Sequence, residues 1–329
     1  MPRQSILIPL PLPNSGLEKA FEDTLASVLQ YRPADSEVLV SHAGDYDDPY
    51  GLSGEVRFLE QRSEATLVEL VNYGLERARG EVLHLLMPGH AVVEGWTDGA
   101  MAAFADPRVG SVVPVVVSDA DPGHVLHCGV GYSCGGARWM AGVGQSVQTV
   151  ASKTPATVGP ALAAGFYRTD AVCGLEGFST ELGDSLPDVD LALSLRAVGY
   201  RSVVSASSVI RATLPPHHEV ASFEHGQQAE RLFRRHARQL GWLRSFASHP
   251  LTVLVSAFAD VPHPGAVVQI AGRVSAWFEH ASYRRYLDLL EDARDEASFA
   301  QQGTLPISTR GALPNPTSLD APTKSRRAA

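Results

Sequence analysis

The chain lacks most of the features that place a sequence in a special class. Only 3 cysteines occur among 329 residues. Cys128, Cys134 and Cys173 form no even disulfide framework and match no common zinc spacing, so unpaired thiols in a reducing compartment are expected. Basic charge is also scarce: 27 Lys and Arg face 36 Asp and Glu, for a net charge of -9. A general nucleic-acid binder needs a basic face for the phosphate backbone, so that class is excluded. No long apolar run is present. The longest late stretch, 251–259, is short against the roughly 20 residues that span a bilayer. The apolar run near the N-terminus is broken by prolines and lacks a small-residue cleavage site, unlike a secretory leader. A cytoplasmic protein, at most peripheral to the inner membrane, is expected. No internal repeat is visible.

What remains is ordinary globular composition, with 44% hydrophobic and 19% charged residues, enough for a sizeable core. Residues 5–10 and 37–41 are short apolar runs, as in parallel strands covered on both faces. Residues 56–59 form a shorter strand, and 82–86 another. Between them, 16–31 places Leu17, Phe21, Leu25, Val28 and Leu29 on one helical stripe, and 66–77 does the same with Leu67, Leu70, Val71 and Leu75. This alternation predicts an α/β fold with a mostly parallel sheet. Its ligand crevice should lie beyond the carboxyl ends of the strands, at the loops after Ile8, Ser41 and Leu86.

The second half is less regular. Residues 110–117 and 162–168 read as strands, and glycine-rich 123–144 as a loop or irregular hairpin. A helix over 187–198 has Pro187 in its first turn, two early acids, Arg196 late and Gly199 as stop. A final strand covers 201–210. Residues 223–246 predict one amphipathic helix bearing Arg231, Arg234, Arg235, Arg238 and Arg244. A break at Pro262–Gly265 precedes a second helix over 267–297. The tail from Gly303 has a disordered composition. Three divisions are expected: 1–213, 214–302 and 303–329.

Three segments resemble the family 2 glycosyltransferases, which share the Rossmann-like GT-A fold. The first is Ile8-Pro9 followed by Asn14. The second is Val71-Asn72-Tyr73-Gly74-Leu75, Ala78-Arg79-Gly80-Glu81 and Glu94-Gly95-Trp96. The third is Gly177-Phe178, Asp188-Val189-Asp190-Leu191-Ala192-Leu193, Arg196 and 199–204. The resemblance covers roughly residues 5–213. It implies inverting transfer of a sugar from a nucleotide-diphosphate donor to a hydroxyl of a glycan or lipid-linked acceptor, in glycan or cell-envelope polysaccharide synthesis. It places the acceptor base at Asp188, with Asp190 beside it. A carboxylate can take that proton in a water-poor cleft, although acids in a first helical turn are also favoured by the helix dipole alone.

The donor-binding candidates are Pro9, His42, Asp45, Arg62, Asn72, Gly89, His90 and Arg211; Asp45, like Asp47 and Asp48, also reads as a loop acid that solvates a turn. His42 stands where the family has a nucleobase-binding Asp, and Arg211 where it has a late His. The family's metal-binding Asp-x-Asp aligns with Met87-Pro88-Gly89, which offers no hard oxygen ligand for a divalent ion. Asp119-Ala120-Asp121 spells the motif but follows the 110–117 strand and reads as a turn. No metal ligands are therefore assigned. Two outcomes stay open. Fixed cations, among them Arg211, Arg62, Arg168, His217 and His218, replace the metal; or the domain has lost catalysis and binds a nucleotide sugar or serves as a scaffold. A nucleotidyltransferase on a related sheet is a third reading. Tyr132, Arg138, Trp139 and Met140 fall on the acceptor side or in the core. The basic helix could touch anionic lipid, or be a solvated face packed by Leu232, Phe233 and Leu240.

Overall fold

The computed structural model describes residues 3–11, 16–46, 48–213, 222–259 and 265–303. Asn14, Asp47, His217, His218 and the tail beyond Gly303 lie outside the described residues. In chain order the elements are β1 (Gln4–Leu10), α1 (Glu18–Tyr31), β2 (Ser36–Ala43), β3 (Val56–Gln61), α2 (Leu67–Leu75), β4 (Val82–Leu86), β5 (His90–Val92) and α3 (Asp98–Ala103). Then come β6 (Val109–Ser118), β7 (Val125–His127), β8 (Val130–Tyr132), β9 (Arg138–Met140), α4 (Val147–Ser152), β10 (Ala164–Arg168) and α5 (Thr169–Cys173). The chain continues with α6 (Pro187–Ala197), β11 (Arg201–Ala212), α7 (Phe223–His236), α8 (Trp242–Ala259), α9 (Gly265–Ala276) and α10 (His280–Gly303).

The main sheet runs β3-β2-β1-β4-β10-β6-β11-β5, with β7 paired to β6. Strands β1 to β4 are mutually parallel, β10 runs against β4 and β6, and β11 runs parallel to β6. Every residue of β1 and β4 is buried, which is why these strands read as unbroken apolar runs. One core packs α1 and α3 on one face through Phe21, Leu25, Trp96 and Phe104. The other packs α2, α5 and α6 on the opposite face through Val68, Val71, Val172 and Leu191. Helix α2 begins on a capping box in which the Thr66 side chain and Glu69 satisfy each other's backbone amides.

Helix α6 is enclosed nearly all round: Pro187 through Leu195 are buried without interruption. Strands β8 and β11 pack on it together with α5, α7 and α10. This burial positions both of its carboxylates.

The C-terminal helices differ from the sequence pattern. The expected helix over 223–246 is two, because Gly241 takes φ +94 between α7 and α8, a conformation open mainly to glycine. The pattern over 267–297 likewise divides into α9 and α10. Glycine-rich 123–144 carries three short strands, β7, β8 and β9. Helices α7 and α9 meet at Gly226 and Gly272, where an added Cβ would run into the carbonyls of Gln269 and Phe223. The arginines of α7 turn inward: Arg231 donates to Glu279 from Nε at 2.6 Å, Arg234 to the Ala276 carbonyl at 2.6 Å, and Arg235 to Asp190 at 3.0 Å. Arg238 and Arg244 stay exposed. Cys128, Cys134 and Cys173 are unpaired, and burial pushes the Cys128 thiol up to about 11.

Candidate functional site

A cavity of about 270 Å³ opens at the carboxyl end of β4. Met87 and Pro88 lie on its wall, with His90 at the start of β5, His127 at the end of β7, and Arg138 and Met140 on β9. Asp184 and Asp188 enter from before and within α6, and Leu17, Leu67, Leu126 and Leu162 supply an apolar surround. A few polar groups converging in a largely apolar hollow is the usual make-up of a ligand site.

Asp188 is its most constrained member. Its side chain has no exposed surface. Oδ2 accepts from Arg138 Nη2 at 2.9 Å and from the Leu162 amide at 3.2 Å; Oδ1 accepts from the Val189 amide at 2.8 Å. A carboxylate has about four lone-pair positions, so roughly one is left for an incoming hydroxyl.

The turn Met87-Pro88-Gly89-His90 is held from below. Gly89 has φ +85. Its amide donates to Thr24 Oγ1 at 3.0 Å, and its carbonyl accepts from the Thr213 amide at 2.8 Å. His90 donates from Nδ1 to the Met87 carbonyl at 3.1 Å, leaving Nε2 as an acceptor. Burial pushes the His90 pKa down, against an opposite pull from the Met87 and Pro88 carbonyls. Burial, with the nearby His90 and Arg138, takes His127 to about 3. His127 is 5% exposed and its Nδ1 has no partner, so a neutral imidazole with unmet hydrogen-bonding capacity lines the cavity. Burial raises the Asp184 pKa against the amides of Val68 and Leu67, which its carboxylate caps at the start of α2.

Asp190 sits elsewhere. Two residues along a helix are about 200° apart, so it points away from the cavity and towards α7. Its Oδ1 meets His236 Nε2 at 2.8 Å and its Oδ2 meets Arg235 Nη1 at 3.0 Å. Burial pushes the carboxyl up, but Arg235 and His236 outweigh it and hold the pKa below the ordinary value.

The other candidates are dispersed. Pro9 is buried within β1. His42 is 5% exposed and donates to the Gly44 carbonyl at 2.7 Å among the rings of Tyr46 and Phe58; Asp45 beside it is exposed. Arg62 pairs with Glu69 on the surface. Asn72 clamps Phe178 through its amide and carbonyl, both at 2.8 Å. Arg211 is half exposed and lies 3.7 Å from Asp119. Of the proposed phosphate cations, Arg168 is tied to the carbonyls of Val109, Phe104 and Asp106. Trp139 lies over Gly131, outside the cavity lining.

The cavity therefore gathers His90 and Asp188 from the expected set, with Gly89 supporting the turn. It adds His127, Asp184 and the ion pair from Arg138. Nothing local in the sequence marks His127 or Asp184: a three-residue strand and a loop bring them here through the tertiary fold.

The side chains do not fit a divalent ion bound through hard oxygens. Among the described residues no group of three His, Cys, Asp or Glu could hold a metal, and both cavity carboxylates already accept protein donors. No described helix is long and apolar enough to cross a membrane.

No protein-family profile matches the sequence, and no curated protein does. Solved structures do match. A mannosyltransferase from Pyrobaculum calidifontis, in complex with GDP-Man and Mn2+, aligns at a TM-score of 0.49 and 17% identity over 92% of this chain and 87% of its own. GalNAc-T7, solved with UDP, GalNAc and Mn2+, aligns at a TM-score of 0.55 and 13% identity over 71% of this chain. This chain spans 48% of the length of that transferase. With the strand order described above, the likeness to GalNAc-T7 shows that the chain has the GT-A glycosyltransferase fold.

Proposed function

We propose that the protein is a glycosyltransferase of the family 2 type, transferring a sugar with inversion from a nucleotide-diphosphate donor to an acceptor hydroxyl in glycan or cell-envelope polysaccharide synthesis. The observation that carries this is the meeting of Asp188 and Arg138 at 2.9 Å inside a cavity lined by the β4 turn, β9 and α6. Asp188 takes the acceptor proton. The acceptor oxygen bonds to the anomeric carbon as the bond to the diphosphate breaks, and the leaving group keeps the electron pair. Arg138 offers that group a fixed positive charge and a planar pair of donors. A diphosphate competing for Arg138 releases one of the three donors on Asp188 and so frees the base as the donor binds. His127 and the Nε2 of His90 are polar points for sugar hydroxyls.

A second reading, a nucleotide-sugar-binding or scaffold protein without turnover, is favoured by the engagement of Asp188, whose carboxylate already accepts three protein donors and has no exposed surface. One experiment separates the two. The purified chain is incubated with a panel of nucleotide sugars, with chelator or with manganese, while calorimetry reads binding and donor hydrolysis reads turnover. Turnover that survives chelator and is lost in Asp188→Asn supports the enzyme. Binding without turnover supports the second reading, and no binding to any donor sinks both.

A further inference from the structure

Helix α9 is inside out. It buries Gln269, Gly272, Arg273 and Ala276, while Val267, Ile270 and Val274, at i, i+3 and i+7, are 73%, 38% and 57% exposed. In a water-facing helix the apolar stripe points to the core; here it points out, because the inner face is fixed by the close Gly272–Phe223 approach and the Arg273–Glu230 contact at 3.4 Å. The neighbouring α8 shows the same inversion. It buries Ser245 and His249, the latter between Glu230 and the Gly135 carbonyl, and exposes Leu243, Leu251 and Val255. Of the 18 large apolar side chains exposed among the described residues, 12 fall between positions 242 and 278, so the surface is a patch and not a scatter.

The charge around this patch identifies what covers it. Residues 231–278 contain six arginines and a single acid, Asp260, in a chain of net charge -9; Arg231, Arg234, Arg235 and Arg273 turn inward onto Glu279, the Ala276 carbonyl, Asp190 and Glu230. Arg238 and Arg244 are exposed beside the patch, and Trp242 and Trp277 are 59% and 52% exposed at its margins. Two copies joined through this face would bring Arg238 and Arg244 against the same two cations, and segments 237–255 and 265–278 hold no Asp or Glu to answer them. An anionic lipid surface offers both an apolar layer and negative headgroups, and tryptophan and arginine suit the boundary between them. We infer that the α8–α9 face docks on the surface of an anionic membrane, with the apolar stripes entering the headgroup boundary and no helix crossing it. This surface is distinct from the inward-turned arginines of α7.

The test is co-sedimentation of the full chain with vesicles of phosphatidylcholine alone or mixed equally with phosphatidylglycerol, beside sedimentation equilibrium without lipid. The expected result is a monomer that binds the mixed vesicles, weakens with salt, loses about fivefold in affinity in Arg244→Gln, and loses more than about tenfold in Ile270→Glu/Val274→Glu. The substituted positions are exposed, and circular dichroism checks that the variants keep the fold. Three results overturn the inference: no binding to the mixed vesicles, binding unchanged in the double variant, or a dimer that the double variant dissociates, which would assign the face to a second copy.

Discussion

Asp188 and Asp190 are two residues apart on one buried helix, yet they serve opposite sides of the molecule. Asp188 faces the cavity, where its guanidinium partner lies on a short hairpin strand and keeps 21% of its side-chain exposure. Asp190 faces α7, where Arg235 is 6% and His236 0% exposed. The first pair lines the cavity at the β4 turn through a partly exposed guanidinium; the second borders another hollow of about 230 Å³, but both of its cations are buried. The difference teaches that burial and charge alone do not mark a reactive carboxylate; access to the partner does.

Four experiments would break or sharpen that contrast. Asp188→Asn should lower turnover by about a thousandfold, the scale of losing an acid–base group, while donor affinity stays within about threefold. Steady-state kinetics with calorimetry reads both, and a loss in binding alone would move Asp188 from base to ligand. Asp190→Asn should leave donor binding intact but destabilise the protein by about 2 kcal/mol, because it removes the carboxylate shared by buried His236 and Arg235 and leaves Arg235 only Glu181 as a counter-charge. Urea unfolding measures this, and a turnover defect without a stability loss would reverse the two roles.

Acid should come next in size. His84, stacked on Phe166 at 3.8 Å, is taken by burial to about 4, and His127 to about 3. Both are neutral when folded and bind a proton more readily when unfolded. Their stabilisation is therefore complete above about pH 6.5 and is lost as pH falls towards those values, at about 1.4 kcal/mol per pH unit for each. Unfolding free energies between pH 6.5 and pH 5 should fall by about 1.6 kcal/mol per histidine, and His127→Gln should remove one share of the slope. The smallest effect belongs to Arg211→Gln. A half-exposed pair at 3.7 Å should cost under about 0.5 kcal/mol and leave donor affinity unchanged. A large loss of affinity would return the diphosphate to Arg211.

Much of the α/β half was legible because its strands are buried on both faces and its helices present one apolar stripe, so period and length distinguish them. The C-terminal helices were less so. Gly241 sits inside a pattern that otherwise continues, and α9 carries its apolar stripe on the outside, where periodicity names a stripe without saying which way it faces. The site was legible only where one segment holds several members, as at Gly89-His90 and Asp188. Arg138 was visible as a residue near the acceptor side but not as the partner of Asp188, since 50 positions separate them and only the folding of β9 against α6 joins them. His42, at the position of the family's nucleobase-binding Asp, and Arg62, a candidate phosphate cation, make local bonds to Gly44 and Glu69 instead.

The most direct test of the Asp188–Arg138 cavity as the donor site is calorimetry of nucleoside diphosphates, UDP and GDP first, in chelator, against the unaltered chain and Arg138→Gln. Binding without metal that falls at least about tenfold in Arg138→Gln is the expected result. Binding that requires manganese, or that Arg138→Gln leaves unchanged, would contradict it.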